Sequence, residues 1–596
     1  MPSAKLESKI PPRARTVTPR APGRRRAGLA RDAAAAICFL GATGLTAGVA
    51  IRIQVASFST IPYWDFWDEL RSVEDAFDGK LGLQELVAQH NEHRILLSRL
   101  QFIADYMFFG GRSVFLQATI FASFALLALA LAWPAARVWN GRAVGLGFYA
   151  VALAAVLSPL GLDNLTAPFQ IGFVQVYAFS VAAIALAACW LRSERDPPGG
   201  LHVPALAAIV VLGAAATYSM ANGLVAWPVV LAVMVCRRAG PRSIAVVALA
   251  GIAFVTAYLW GYEPVRGHSP YGWSIRHPLE LARYVLAFLG HPALALGLTA
   301  EQVVGGAGVA LLACVLAVGF RSGALRESRA LLFGSAVGVF VLATAGESAL
   351  GRLSFGVEQA LASRYTIGAS VFWIGVAVGA APLVARHTSV SLTLGARRTD
   401  VTGIAYVALG LAAWLSVNLA SSPSDEALRA IQTRGESMIA AFVSGVQDDE
   451  ATKASFPDPH GIVTKLAWLR TERLGPWDGG PGSELEGASR RVPRPDALEP
   501  CTGRVESVTP VTAGERLSGW IASPSGARAS RALDVVGPDG FSEGVGLVDV
   551  DRPDVEAEGA SRSSRVGFVA YARGTPARIV LLGAGSNVAL CALQVT

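Results

Sequence analysis

Apolar runs recur along this chain near residues 33–52, 113–136, 144–160, 171–191, 203–219, 222–236, 243–261, 302–320, 328–346, 366–385 and 402–420. About 18 to 20 apolar residues in a helix cross a lipid core about 30 Å thick. Inside such a core every backbone polar group must be satisfied within its own segment, which leaves helices as the solution for runs like these. The expected fold is therefore a polytopic α-helical membrane protein with about eleven crossings. Composition agrees: the 596 residues are 53% hydrophobic and 16% charged, against about 25% charged in soluble domains.

Charge then sets topology. Lys5, Lys9, Arg13, Arg15, Arg20, Arg24, Arg25, Arg26 and Arg31 crowd the first 31 residues, with Glu7 as the sole acid. This stretch reads as a disordered cytoplasmic tail, and positive charge retained inside orients the crossings that follow. The net charge of +7 speaks of topology and a lipid bilayer partner, not of nucleic acid, since no aromatic residues are interleaved with the basic ones. Basic connections at 136–142, 191–196, 236–243, 321–329 and 386–398 all fall on the cytoplasmic side of this arrangement. The stretch 279–298 is read as interfacial or re-entrant, because counting it as a crossing inverts everything after it. The expected location is the plasma (inner) membrane, with the C-terminal domain outside.

Residues 32–420 form the expected transmembrane domain, with a large first outward loop at 53–112; 421–500 reads as a helical stalk and a Pro/Gly-rich linker. From 501 to 596, about seven short β-rich runs separated by turn signals predict an extracytoplasmic β-sandwich. Cys501 and Cys591 bracket it, and a disulfide between its first and last strands suits an oxidising compartment.

The outward segments hold most of the chemistry. They carry His90, His93, His268, His277 and His291 of the eight histidines. The first loop opens with "IPYWDFWDEL", in which Asp65, Asp68 and Glu69 sit among four aromatics at the membrane edge. Two readings stay open: an interfacial aromatic belt with incidental acids, or partly desolvated carboxylates whose raised proton affinity suits a general base. Farther along, "HNEHR" supplies His90, His93 and Arg94, and "ASRYT" supplies Arg364. Arginine binds phosphate bidentately and stays charged, but a capping cluster and a snorkelling arginine explain the same residues. Arg266 and His268 are a third candidate pair. Asn164, Gln170 and Asn222 lie beside helix ends, where they serve either sugar hydroxyls or helix caps. Trp520 and Tyr571 in the β-domain are either sugar platforms or core aromatics.

The order of these features resembles the GT-C superfamily of integral-membrane glycosyltransferases, in its mannosyl- and aminoarabinose-transferring branch. Asp68-Glu69 followed by "DAFDGKL" is similar to that family's acidic pair in its first outward loop, and "HNEHRILLSRLQFIADYMFFGG" keeps a His and a Phe-Gly helix end. Glu92-His93-Arg94-Ile95 stands where the family has Pro-Pro-Leu, which leaves the sugar unassigned. The resemblance implies a polyprenyl-phosphate sugar donor, a glycan or lipid acceptor, Asp68 or Asp65 as base with Glu69 beside it, and His90, His93, Arg94 and Arg364 on the phosphate. A divalent metal bridging Asp65 or Asp68 to the phosphate fits this chemistry without being required by it. A transporter or flippase of lipid-linked glycans is a second class. It predicts internal repeats and charge at mid-membrane depth, neither of which is evident. A non-catalytic envelope scaffold is a third.

Overall fold

The structure is a computed structural model. It describes residues 22–139, 142–189, 203–265, 271–387, 391–393, 398–489, 498–524, 529–561, 563–583 and 588–595. Arg266 and His268 lie outside the described residues, as does the basic tail up to residue 21. The tail's last ten residues are helical, because α1 (Pro22–Ala56) begins before the apolar run.

Four helices build the first loop and its return: α2 (Phe66–Phe77), α3 (Leu83–Leu86), α4 (Leu96–Phe109) and α5 (Val114–Ala135). The bundle continues with α6 (Arg142–Val156), α7 (Leu162–Thr166), α8 (Ile171–Cys189), α9 (Val203–Thr217), α10 (Ala226–Cys236) and α11 (Pro241–Leu259). After α12 (Tyr271–Ile275) and α13 (Pro278–Leu289) come α14 (Leu298–Arg321), α15 (Ala324–Glu327), α16 (Arg329–Arg352) and α17 (Thr366–His387). A short hairpin of β1 (Ser391–Thr393) and β2 (Arg398–Asp400) leads into α18 (Val401–Ala420).

Among the described residues nine helical segments are long and apolar enough to cross a membrane, and α9 and α10 lie on two shorter apolar stretches. Leu249, Ile252, Val303 and Phe320 are exposed on these segments, where hydrocarbon rather than water suits them. The stretch 279–298 is not a single long helix. Its 12-residue α13 spans about 18 Å, short of the bilayer core, and a 3-10 turn (His291–Leu296) follows. With no hydrophobic drive between helices inside lipid, close approach needs small residues. α16 and α17 meet in this way: a Cβ on Gly334 would stand 2.2 Å from the Gly379 nitrogen.

Beyond the bundle, α19 (Asp425–Gln432), α20 (Glu436–Ser444), α21 (Asp449–Lys453), α22 (Pro459–Glu472) and α23 (Pro481–Ser489) form a helical platform. Part of the stretch read as linker is thus packed helix: Leu485 and Ala488 of α23 are buried in the main core. The β-domain has β3 (Thr502–Val511), β4 (Gly514–Ala522), β5 (Ala529–Val536), β6 (Ser542–Val550), a short α24 (Pro553–Ala557), β7 (Gly567–Ala572), β8 (Arg578–Gly583) and β9 (Ala589–Gln594). The two layers expected of it are halves of one antiparallel sheet, ordered β3-β4-β7-β6-β5-β8-β9. Its edges meet: the Cys501 N–H donates to the Ala592 carbonyl at 2.9 Å, and Cys501 and Cys591 form a disulfide. Leu517, Ile521, Leu533, Phe568 and Leu581 fill the interior. The bridge between Pro500 and Ala592 covers part of the exposed edges that would otherwise recruit other chains.

The platform and β-domain are docked together, not tethered. Gln447 and Thr512 exchange backbone hydrogen bonds, Arg531 pairs with Glu436 at 2.5 Å, and Arg516 pairs with Asp448 at 3.0 Å. The platform also grips the first loop. α4 ends at Gly110, whose φ of +69° is left-handed, and the Gly110 carbonyl accepts from the Gly475 N–H at 2.8 Å. A side chain at Gly110 would run into Asp478.

Candidate active site

Tyr63-Trp64-Asp65 turns the chain from α1 into α2. Trp64 takes φ +54°, a region in which a bulky residue is a genuine outlier and costs on the order of 1–3 kcal/mol. It is held there by its N–H to the Ser455 carbonyl at 3.0 Å, while the Trp67 indole donates to the Ser455 hydroxyl at 3.3 Å. Asp65 stands at the N-cap of α2, yet its side chain caps nothing. It turns instead toward His90, with its Oδ2 3.6 Å from Nε2.

His90 and His93 exchange backbone hydrogen bonds of 2.7 and 2.8 Å across a two-residue turn, in which Asn91 takes φ +48°. The turn fixes both imidazoles at one edge of the loop. The other nitrogen of His90 binds Glu69 Oε1 at 2.8 Å. Glu69 in turn receives Arg99 Nε at 2.7 Å and Nη2 at 2.9 Å, and Arg99 Nη1 also donates to the carbonyls of Glu85, Leu86 and Ala88. Arg99, on the buried face of α4, is a residue that sequence reasoning passed over; the only signal was an arginine inside an apolar helical pattern.

The electrostatics follow from this chain. Burial works against charge on His90, but the Asp65 and Glu69 carboxylates outweigh it and raise the imidazole to about 9. Burial also opposes charge on Glu69, but the His90 and Arg99 donors overcome it and draw the carboxyl down to about 2. At neutral pH His90 is thus charged and Glu69 ionised. A raised histidine stabilises the fold fully below its unfolded value near 6.5 and loses that contribution as pH climbs through about 9. A depressed glutamate does so above 4.5 and loses it as pH falls toward about 2. The first loop is therefore expected to be most stable between about pH 4.5 and 6.5 and to loosen toward pH 9. Tryptophan emission from Trp64 and Trp67, followed against pH in wild type and His90→Gln, checks this. The alkaline transition should be present in the first and absent in the second.

Asp65 and His90 face a polar cavity of about 470 Å³, with Trp64, Gln170, Gln359 and Arg364 also on its walls. An apolar cavity of about 510 Å³ adjoins it, walled by Tyr177, Leu224, Leu259 and Tyr262. His93, Phe173, Met220, Arg352 and Arg364 line both. Arg352 is held by Glu92 at 2.7 Å. Arg364 lies over the Tyr365 ring at 5.2 Å and has no carboxylate partner among the described residues. Burial drives His93 down to about 4, so it is neutral there, with Nδ1 accepting from the Ala221 N–H at 3.2 Å.

Several expected roles change. Asp68 does not line the cavity: its side chain is 53% exposed and faces Lys465 of α22 at 3.9 Å, while burial of its inner part still pushes its carboxyl up. Asp65 and Asp163 line the polar cavity and Asp68 does not; of these, Asp65 is the one beside His90. Glu69 is spent on Arg99 and His90 and is no base. Arg94 is buried, its guanidinium donates to the carbonyls of Tyr258 at 2.7 Å, Val87 at 2.6 Å and Trp260 at 2.7 Å, and it lines neither cavity. Asn164 does not line the cavity either; it donates to the Arg364 carbonyl at 3.0 Å and so sets that arginine's backbone. Gln170 does reach the polar cavity, and its buried Oε1 has no hydrogen-bond partner among the described residues; Asn222 lines the apolar one. Trp520 is half-buried on β4 and lines neither cavity. Tyr571 is buried, with its hydroxyl on Asp448 at 2.9 Å, and is no sugar platform. Among the described residues no group of three or more His, Cys, Asp or Glu side chains is arranged to hold a metal ion.

No family model matches the chain, and no curated protein matches it. Among solved structures the chain is similar to ArnT from Cupriavidus metallidurans bound to undecaprenyl phosphate. The two are 14% identical with a TM-score of 0.36, over 76% of this chain and 91% of that one.

Proposed function

We propose that this protein is a membrane glycosyltransferase of the GT-C type. It moves a sugar from a polyprenyl-phosphate carrier to a cell-envelope glycan or lipid acceptor at the outer face of the plasma membrane. The observation that carries this reading is the pair of abutting cavities with Arg364 at their junction. A carrier lipid needs an apolar slot among membrane helices for its chain, a free cation for its phosphate, and a polar chamber with a carboxylate for the sugar and acceptor. The three occur here in that order.

In this reading Arg364 binds the phosphate and takes up the charge that develops as the bond from phosphate oxygen to the anomeric carbon breaks. The acceptor hydroxyl forms the new bond to that carbon and gives its proton to Asp65. His90, held charged by Glu69, aims the Asp65 carboxylate, and Gln170 and Gln359 offer hydrogen bonds to sugar hydroxyls. Arg352, already paired with Glu92, shapes the junction.

Purified protein given radiolabelled polyprenyl-phosphate sugars and envelope glycan acceptors should release the carrier phosphate and label the acceptor. Arg364→Ala should lower kcat/KM by about 10²–10³-fold, the usual cost of one preorganised charge-stabilising group. Movement of the labelled lipid across a vesicle bilayer without any transfer would replace this reading with a flippase.

A further inference from the structure

α5 and α8 start beside the candidate active site and finish at the opposite end of the bundle, where α17 also finishes and α16 starts. With 22 residues in α5, the two ends are about 33 Å apart. A cavity of about 440 Å³ opens there among the four helix ends, lined by Arg137, Arg329, Arg386 and Glu327, with Pro134 and Pro382 as apolar walls. The spans themselves end at Ala135, Cys189 and Arg386 and begin at Arg329, so the cavity sits at the level of lipid headgroups.

Three guanidinium groups face one carboxylate. Arg329 donates to the Cys189 carbonyl at 3.0 Å, which satisfies a helix end and holds that side chain in place. Arg386 reaches Glu327 only at 3.5 Å, with both side chains well exposed. Arg137 stacks over the Trp133 ring at 4.8 Å and has no carboxylate partner among the described residues. Capping of helix carbonyls accounts for Arg329 but not for Arg137, whose guanidinium lies over the indole. Planar, permanently charged forks set around a concave, partly apolar site are suited to a phosphate group, and basic pockets between membrane helices take anionic headgroups.

We propose that this cavity is a phosphate-binding site for the headgroup of an anionic membrane lipid, separate from the donor site by the thickness of the bundle. The full-length protein, purified in neutral detergent and stripped of lipid, would be titrated with phosphatidylglycerol, phosphatidylcholine and inorganic phosphate. Thermal stability is one readout, and native mass spectrometry counts the bound lipids. Phosphatidylglycerol should raise Tm and phosphatidylcholine should not. The double variant Arg137→Gln/Arg386→Gln should bind one lipid fewer, with the strongest binding about 30-fold weaker, each interfacial arginine contributing about a factor of five. Arg137→Lys/Arg386→Lys should keep most of the effect. An equal response to inorganic phosphate, lost in the same glutamine variant, supports the phosphate site with free phosphate as its occupant. If the glutamine pair cannot be purified, Ala385→Trp, which fills the cavity from its apolar wall, should give the same loss. A variant that titrates like wild type, or equal responses to the two phospholipids, overturns the proposal.

Discussion

Asp65→Asn should reduce sugar transfer by about 10²–10⁴-fold in kcat, the range for losing a positioned general base, with donor binding retained. Asp68→Asn should leave kcat within the same order of magnitude. The contrast follows from placement. Asp65 lines the polar cavity beside His90, whereas Asp68 faces Lys465 and is half exposed. Transfer of labelled sugar from polyprenyl phosphate, measured at saturating donor, separates the two. Full activity in Asp65→Asn would remove this residue from the mechanism. A deep loss in Asp68→Asn alone would restore the acid that the family pattern points to.

The largest expected effect on stability belongs to Arg99→Ala. It leaves the buried Glu69 carboxylate with His90 as its remaining charged partner and releases three backbone carbonyls. Removing one partner of a buried ion pair costs about 3–5 kcal/mol, a large part of the 5–15 kcal/mol that typically holds a domain together. The first loop should then be cut rapidly by protease and the melting temperature should fall. Replacing both partners with apolar groups of similar volume, Glu69→Leu with Arg99→Met, should recover most of the stability. It should not recover activity, because His90 would lose the carboxylate that anchors its far side. A double variant as unstable as Arg99→Ala would mean that the carbonyls, rather than the ion pair, carry the cost.

Much of this architecture was legible because it follows from period and solubility. Runs of apolar residues must be helical in lipid, so the bundle could be read from 33–52 through 402–420, and 279–298 was set apart because counting it as a crossing inverts the topology of everything after it. Turn signals every ten residues or so gave the β-strands but not their joining into one sheet, which depends on β6 pairing with both β5 and β7. The "PWDGGPGSELEGASRR" stretch looked like a linker because Gly and Pro dominate it; its Leu485 and Ala488 pack only because the domains on either side come together.

For the site, the sequence alone determined the residue types and their company: acids among aromatics in the first loop, "HNEHR" behind them, and an arginine before a late helix. That follows from local chemistry and from which side of the membrane a loop must take. Only the tertiary structure decided which acid lines the cavity and, among the described residues, which cations have no carboxylate partner. Asp65 and Asp68 are neighbours in sequence, but the left-handed backbone at Trp64, pinned by Ser455 from almost four hundred residues away, turns one into the cavity and the other toward Lys465. Arg94 and Arg364 look alike as letters. One donates to three backbone carbonyls and the other has no carboxylate partner among the described residues, because a guanidinium's role is fixed by what surrounds it, and those surroundings come from chain segments far apart in sequence.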